Sequence, residues 1–327
     1  MIRTRYDIEA DWLINRFCNY TCEYCFSSSK SEHPYASLIK ADDCRDFFDK
    51  TCRRWHFHFS GGEPFFAPGF VELCQALSER HVVSVNSNLS TNNVLCFADG
   101  VDPARVEFIH CSLQIEERIR HEGLAELLKK IDYLTGAGFP VFSSCVMTPD
   151  AFSIFPEIQS VFHRHKVPLF PKAMRAIYRG RPYPFSYTVS QRREFKLFSA
   201  AAEALSVQFG CPKNPMINLP IDAEFLDGFP DFQGVMCSAG VDSVTIGPDG
   251  AISRCGSGTM IGSLREKRLE LLSEPRPCDQ RSCPYVCMKH TGLSVVAAQQ
   301  LPRETPLMVY NPYTHLNKQR PHATPQA

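Results

Sequence analysis

Three cysteines stand within eight residues, in the run Cys18-Asn-Tyr-Thr-Cys22-Glu-Tyr-Cys25. Thiolates are the usual protein ligands of iron–sulfur clusters, and three of them on one loop can hold three irons. No fourth cysteine lies nearby, whereas a closed all-cysteine zinc site wants four. Three ligands leave one iron open to a cofactor or substrate; a zinc knuckle is the alternative reading of the same spacing. Five more cysteines, Cys237, Cys255, Cys278, Cys283 and Cys287, gather further along. Cys237 precedes and Cys255 closes a segment that turns at Pro248-Asp249-Gly250, and the other three follow on a later turn. Cysteines arranged in this way converge on one metal, and four thiolates suit zinc as well as an iron–sulfur cluster. Between the two groups lies Ser60-Gly61-Gly62-Glu63-Pro64. Glycines let a backbone approach a ligand closely, and a carboxylate complements an ammonium group; taken alone, the run is also an ordinary turn.

These residues need elements to position them. Strand-like apolar runs occur at Asp11–Phe17, Trp55–Phe59, Val82–Asn86, Val106–Leu113, Val141–Met147 and Val167–Pro171. Between them, Phe70–Arg80 places Phe70, Leu73, Cys74 and Leu77 on one helical face, and Leu124–Leu134 does the same with Leu124, Leu127, Leu128, Ile131 and Leu134. Gln191–Leu205 is a further helix. Alternation of this kind predicts a parallel sheet with crossover helices, and six units fall short of the eight of a full barrel. The expected architecture is therefore α/β: a partial (β/α)6 TIM-like barrel over residues 1–210, then a linker at 211–236. A small cysteine-rich domain of β-hairpin and helix follows over 237–300, and then a partly mobile tail at 301–327. In the small domain Val241–Ile246 and Ala251–Arg254 read as the hairpin, and a short helix is expected near Leu264–Leu272.

Lysine plus arginine equals aspartate plus glutamate, 35 against 35, so nothing in the overall charge points to nucleic acid or an acidic membrane. No apolar run approaches the roughly 18 residues of a spanning helix, and the opening MIRTRYDIEADW is no secretory signal. A cytoplasmic location follows as the default. There, 15 cysteines argue for metal or redox chemistry rather than disulfides. The seven scattered ones (Cys44, Cys52, Cys74, Cys96, Cys111, Cys145 and Cys211) read mostly as small buried hydrophobes.

The Cys-x3-Cys-x2-Cys loop after the first strand and the Gly-Gly-Glu-Pro loop after the second resemble the radical S-adenosylmethionine (SAM) superfamily. The resemblance implies a [4Fe-4S] cluster on Cys18, Cys22 and Cys25, whose open iron chelates SAM. It implies an aromatic contact to adenine from Tyr24 and a SAM-ammonium site at Ser60, Gly61, Gly62, Glu63 and Pro64. It also points to SAM contacts from Ser87, Asn88, Ser112 and Gln114, and to a carboxylate contact from Arg118 or Arg120. Cys237-x12-Gly250-x4-Cys255 is similar to the opening of the SPASM/Twitch extension, and Cys283-x3-Cys287 to a later part of it. The full SPASM pattern has seven cysteines, so five point to the shorter form with one auxiliary [4Fe-4S] cluster. Cys237, Cys255, Cys283 and Cys287 are the favoured ligands, with Cys278 as the fifth candidate.

In such an enzyme SAM is split reductively and the resulting 5'-deoxyadenosyl radical removes hydrogen from an unactivated C–H bond. Oxidation or bond formation follows if the auxiliary cluster takes an electron; epimerisation follows if a thiol returns hydrogen, with Cys278 or Cys211 as donor; the auxiliary cluster can also merely position substrate. The barrel begins within about ten residues of Met1, leaving no room for a fused leader-binding module. That favours a small polar metabolite such as a sugar or aminocyclitol, with modification of a ribosomally made peptide as the alternative. The basic, aromatic stretch Lys172–Pro184 follows the last barrel strand and suits an anionic or sugar substrate, or is a solvated loop with packed tyrosines. An electron donor such as flavodoxin or ferredoxin is the expected partner. Outside this class stand a zinc-binding interaction protein and a catalytically silent relative.

Overall fold

The structure is a computed structural model and describes residues 5–25, 40–121, 123–211, 222–226, 231–256, 258–281 and 283. Each of the six apolar runs forms a strand: β1 (Ile8–Asn15), β2 (Trp55–Gly61), β3 (Val82–Ser87), β4 (Val106–Leu113), β5 (Val141–Val146) and β6 (Leu169–Lys172). They lie side by side in chain order, all parallel. Parallel neighbours require crossovers, here α1 (Ala41–Asp49), α2 (Phe70–Ser78), α3 (Asn93–Gly100), α4 (Ile115–Arg120), α5 (Leu124–Gly136) and α6 (Ala151–Arg164). The spacing on α2 and α5 identifies their buried faces: Phe70, Leu73, Cys74 and Leu77 on one, Leu127, Ile131 and Leu134 on the other. Helices α1, α3, α4 and α6 were not singled out by spacing; α6 carries an internal Pro156 that blurs its pattern.

Alternation along each strand separates two faces. Trp55, Phe57, Phe59, Val83, Val85, Ile109, Cys145 and Leu169 face the helices in one large core. Its aromatic rings meet edge to face, as Phe48 with Trp55 at 4.9 Å and Phe59 with Phe70 at 5.2 Å, a geometry that adds to their burial. The inner face carries His56, His58, Ser84, His110 and Ser144, above an aromatic plug of Phe108, Phe142 and Phe170. Ala202 of α7 (Val189–Gln208) completes the plug. Thr188 starts α7 with a capping box closed by Gln191. Among the described residues no helix is long and apolar enough to cross a membrane.

The hairpin over 241–254 is present, but it continues the barrel sheet. After the short strands β7 (Ile177–Tyr178), β8 (Arg181–Pro182) and β9 (Met236–Cys237), β10 (Ser243–Ile246) pairs in parallel with β1, and β11 (Ala251–Ser253), β12 (Met260–Ser263) and β13 (Arg268–Leu269) extend the sheet antiparallel to ten strands. This covers the edge that β1 would otherwise expose. The helix expected near Leu264–Leu272 is not formed. That segment turns after β12 and returns as β13, because Ile261 and Leu264 are the residues buried and Gly262 lets the strands press together. A Cβ there would lie 2.4 Å from Arg268 O. In the expected linker, Asp222 is fully buried and accepts from Ala173 N at 2.8 Å, so this segment is tied to the end of β6. Cys287 and the tail lie outside the described residues.

His81 illustrates how tightly the helix-facing core is set. It is fully buried; its Nδ1 accepts from the Trp55 N–H at 3.3 Å, and its Nε2 lies 3.2 Å from Asp49 Oδ1. Burial pulls its pKa down to about 4. A depressed pKa means that the unfolded chain binds the proton more readily. The contribution is whole above about pH 6.5 and is lost as pH falls through about 4. Urea unfolding across this range should therefore show acid destabilisation that is shallower in His81→Asn; equal slopes contradict the assignment.

Candidate functional site

The first cysteine loop leaves the C-terminal end of β1, the end at which parallel sheets place their sites. The Tyr20 N–H points at Cys18 Sγ at 3.4 Å, and Asn88 Nδ2 lies 3.9 Å from the same sulfur. Asn88 Nδ2 also donates to Asn19 Oδ1 at 2.9 Å, and Asn19 Nδ2 to Ser90 Oγ at 3.0 Å. A turn from Cys25 N to Cys22 O (3.0 Å) folds the third cysteine back, and Tyr24 hydrogen-bonds Cys22. The three thiols act on one another electrostatically. Burial, the largest cause, pushes Cys18 up to about 11 and Cys22 up to about 12. Such thiols are neutral by themselves and ionise beside a cation, as metal ligation requires. Among the described residues no three Cys, His, Asp or Glu side chains close around a single ion; in a cluster each thiolate binds its own iron. The donor set on this loop fits a cluster with one open iron.

The Gly-Gly-Glu-Pro loop packs against the chain that enters the cysteine loop. Gly62 N donates to Asn15 O at 3.1 Å, Glu63 N to Phe17 O at 2.7 Å, and Asn15 Nδ2 to Glu63 O at 2.8 Å. A Cβ on Gly62 would lie 2.0 Å from Phe17 O, and one on Gly61 2.4 Å from Asn15 O. The glycines thus allow this loop to press against the chain entering the cysteine loop. The Glu63 carboxylate is fully buried and accepts from Phe65 N (3.2 Å), Ser87 Oγ (2.6 Å) and Asn88 N (2.7 Å). Burial is the main influence on it and pushes its pKa up to about 7 against those donors. Glu63, Ser87 and Asn88 form one brace from β2 to β3 to Cys18. Gly62→Ala should cost the cysteine loop its seat: we expect less than half of the wild-type iron after reconstitution, with the sheet's circular dichroism kept. Full iron content contradicts this role.

Arg118, fully buried on α4, donates from Nη2 to Asn88 O and lies 5.3 Å over the Tyr20 ring. Arg120 is exposed and bound to Glu117 at 2.6 Å and Thr21 at 3.3 Å. Lys130, on α5, was missed by sequence reasoning. Its ammonium donates to Leu89 O, Ser90 O and Thr91 O at 3.2, 2.9 and 2.9 Å and pins the loop after β3. Ser112 Oγ donates to Asn86 Oδ1 at 2.6 Å on the inner face. Gln114 Oε1, just beyond β4, is buried with no hydrogen-bond partner among the described residues.

The inner-face histidines were also missed. His56 Nε2 and His58 Nδ1 both meet Ser84 Oγ, at 2.7 and 3.0 Å, and His110 Nε2 meets Ser144 Oγ at 2.7 Å. The alternation Trp55-His56-Phe57-His58-Phe59 is the signal that two histidines share one face.

Four of the second cysteine group, Cys237, Cys255, Cys278 and Cys283, are among the described residues. β9 (Met236–Cys237) pairs with β14 (Arg276–Pro277), Arg276 lying opposite Cys237 and Cys278 N donating to Val235 O at 2.8 Å. The Cys278 thiol feels both Cys237 and Cys255, and its pKa is raised, chiefly by burial. Arg254 binds this assembly from within, donating to Ala239 O and Arg276 O at 2.8 Å and to Cys237 O at 3.2 Å. Cys278 thus lies within electrostatic reach of two other thiols, although among the described residues no three such side chains close around one ion. Cys283 follows it in the chain, and Cys287 is outside the described residues. Cys211 stands elsewhere, at the end of α7, where Phe209 meets His163 near the end of α6 at 5.7 Å. That is the end of the sheet where strands begin, opposite the Cys18 loop.

Residues 12–151 match the family model described as the Radical SAM superfamily. The chain is 27% identical over 182 residues to a protein named mycofactocin maturase MftC of Mycobacterium tuberculosis, covering 52% of this chain and 45% of that one. It is 28% identical over 140 residues to the protein of the same name in Mycobacterium ulcerans, covering 39% and 36%. The matches thus span less than half of the curated relatives. In fold it is similar to Streptococcus suis SuiB bound to precursor peptide SuiA, with TM-score 0.52, 14% identity, and 76% and 60% of the two chains covered. It is likewise similar to anSMEcpe with bound AdoMet and Cp18Cys peptide, with TM-score 0.52, 12% identity, and 79% and 77% covered.

Proposed function

We propose that the radical SAM domain at residues 12–151 makes this chain a SAM-dependent enzyme that modifies a peptide. The observation that carries this is the Cys18–Cys25 loop at the end of β1, braced by Glu63, Ser87 and Asn88. Cys18, Cys22 and Cys25 would hold the cluster, leaving one iron for SAM. When bound, cluster and SAM together supply a 5'-deoxyadenosyl radical that removes hydrogen from substrate.

The chain's residues divide the remaining work. Tyr24, Ser60, the Gly61–Pro64 backbone and Ser112 line the SAM side. Glu63, Ser87, Asn88, Arg118 and Lys130 hold the loops in place, and Arg120 ties Glu117 to Thr21. A one-electron donor such as a flavodoxin or ferredoxin supplies the electron. Cys237, Cys255 and Cys278 would hold an auxiliary cluster, with Cys283 or Cys287 as the fourth ligand. Of the two roles open to Cys278, this reading takes ligand over hydrogen donor, and it leaves Cys211 without a role.

The peptide is preferred to a sugar or aminocyclitol because the similar proteins include a maturase and two structures with bound peptide. The test is incubation of the reduced enzyme with SAM and the short peptides encoded beside its gene. A mass change in one of them, matched by 5'-deoxyadenosine, supports the reading. A change in an aminocyclitol or sugar panel and in no peptide overturns it.

A further inference from the structure

Each strand from β2 to β6 ends in one inward-facing residue, and these five, Ser60, Asn86, Ser112, Val146 and Lys172, form the rim of the partial barrel. All five are half-buried, whereas their outward-facing neighbours Phe59, Ser87, Leu113, Cys145 and Pro171 are buried. The rim is open to solvent, and Lys172 is its single charge. Lys172 is set above Phe170 of the plug and acts electrostatically on His110, which is bound to Ser144.

Among the described residues the Lys172 ammonium has no hydrogen bond and no ion pair. The charges that act on it are Asp222 and Arg175. Asp222 is already engaged: its carboxylate pairs with the Arg175 guanidinium and accepts from Ala173 N at 2.8 Å. Two cations thus share one carboxylate, and the uncompensated one faces the barrel. Even a half-buried ammonium gains from an opposite charge beside it, and burial lowers the pKa of Lys172. Glu9 and Asp11, the acids of the inner face, lie on β1, across the barrel sheet from β6.

We propose that Lys172 is the binding site for a carboxylate of the substrate at the mouth of the barrel. This rests on the reading of the chain as a SAM-dependent enzyme and narrows its substrate class. A carboxylate completes the charge balance; an amine-bearing ring such as an aminocyclitol meets an unmatched cation. SAM carries a carboxylate too. Its proposed site lies with the Cys18 loop, which contacts the ends of β3 and α4, whereas Lys172 ends β6.

The test uses iron-loaded protein, with N-acetylglycine as probe and N-acetylglycinamide as its uncharged control. Ligand-observed NMR titration should show wild type binding the acid at least fivefold more tightly than Lys172→Met, Lys172→Arg staying within twofold of wild type, and the amide showing no such difference. Equal binding of the acid by wild type and Lys172→Met, none included, overturns the proposal. Equilibrium dialysis of labelled SAM separates the two carboxylates. A dissociation constant within twofold in Lys172→Met assigns the site to substrate, and a tenfold loss assigns it to SAM and overturns the proposal. If wild type itself holds no SAM, the enzyme reading fails, and that failure is read separately from the acid titration.

Discussion

Cys22→Ala, reconstituted and reduced without oxygen, should form 5'-deoxyadenosine at least about 100-fold more slowly than wild type, because the radical chemistry belongs to the cofactor. Cys22 is the middle ligand of the loop, coupled electrostatically to Cys18 and Cys25 and hydrogen-bonded by Tyr24. Two thiols cannot hold the cluster that leaves one iron for SAM. Removal of the side chain leaves the fold unburdened, since Cys22 is only half-buried and belongs to no strand. Circular dichroism should therefore match wild type while the product is lost. Chromatography with mass detection reads the product; a rate within tenfold of wild type contradicts the assignment.

Cys278→Ala separates two roles for the same residue. As an auxiliary ligand beside Cys237 and Cys255, its loss should remove about half of the iron, one of two clusters, and leave reductive SAM cleavage in place. Cys255→Ala should do the same. As a hydrogen donor, Cys278 would be dispensable for iron, and its loss would change only the fate of the substrate radical. Iron and sulfide analysis distinguishes these outcomes. Wild-type iron in Cys278→Ala overturns the ligand assignment, and wild-type iron in both variants overturns the auxiliary cluster itself.

The parallel sheet was legible because each strand is a short, bounded apolar run, and the helix faces of α2 and α5 because their leucines recur at helical spacing. The Cys18 loop was legible because three thiols at close spacing have few other uses. What a residue does inside the site was harder to read. A motif shows that Glu63 and its glycines matter, yet whether a carboxylate meets a ligand or three chain donors depends on which strand ends lie beside it. Lys130 looks like a surface lysine until the fold places it under three carbonyls, and Lys172, in sequence one cation of a basic stretch, falls on the rim. Spacing kept Cys278 as a fifth candidate ligand and is silent on the β9–β14 pairing that brings it within electrostatic reach of Cys237 and Cys255. The helix expected near Leu264–Leu272 failed for a similar reason: strand partners outweighed local propensity.

The central claim is that Cys18, Cys22 and Cys25 support reductive cleavage of SAM. The most direct measurement is anaerobic incubation of the iron-loaded wild-type protein with SAM and dithionite, followed by quantification of 5'-deoxyadenosine and methionine. The account predicts both products in equal amounts, with none when the reductant is left out. Iron-loaded protein that forms neither product, or protein that takes up zinc and stays colourless in place of iron and sulfide, would contradict it.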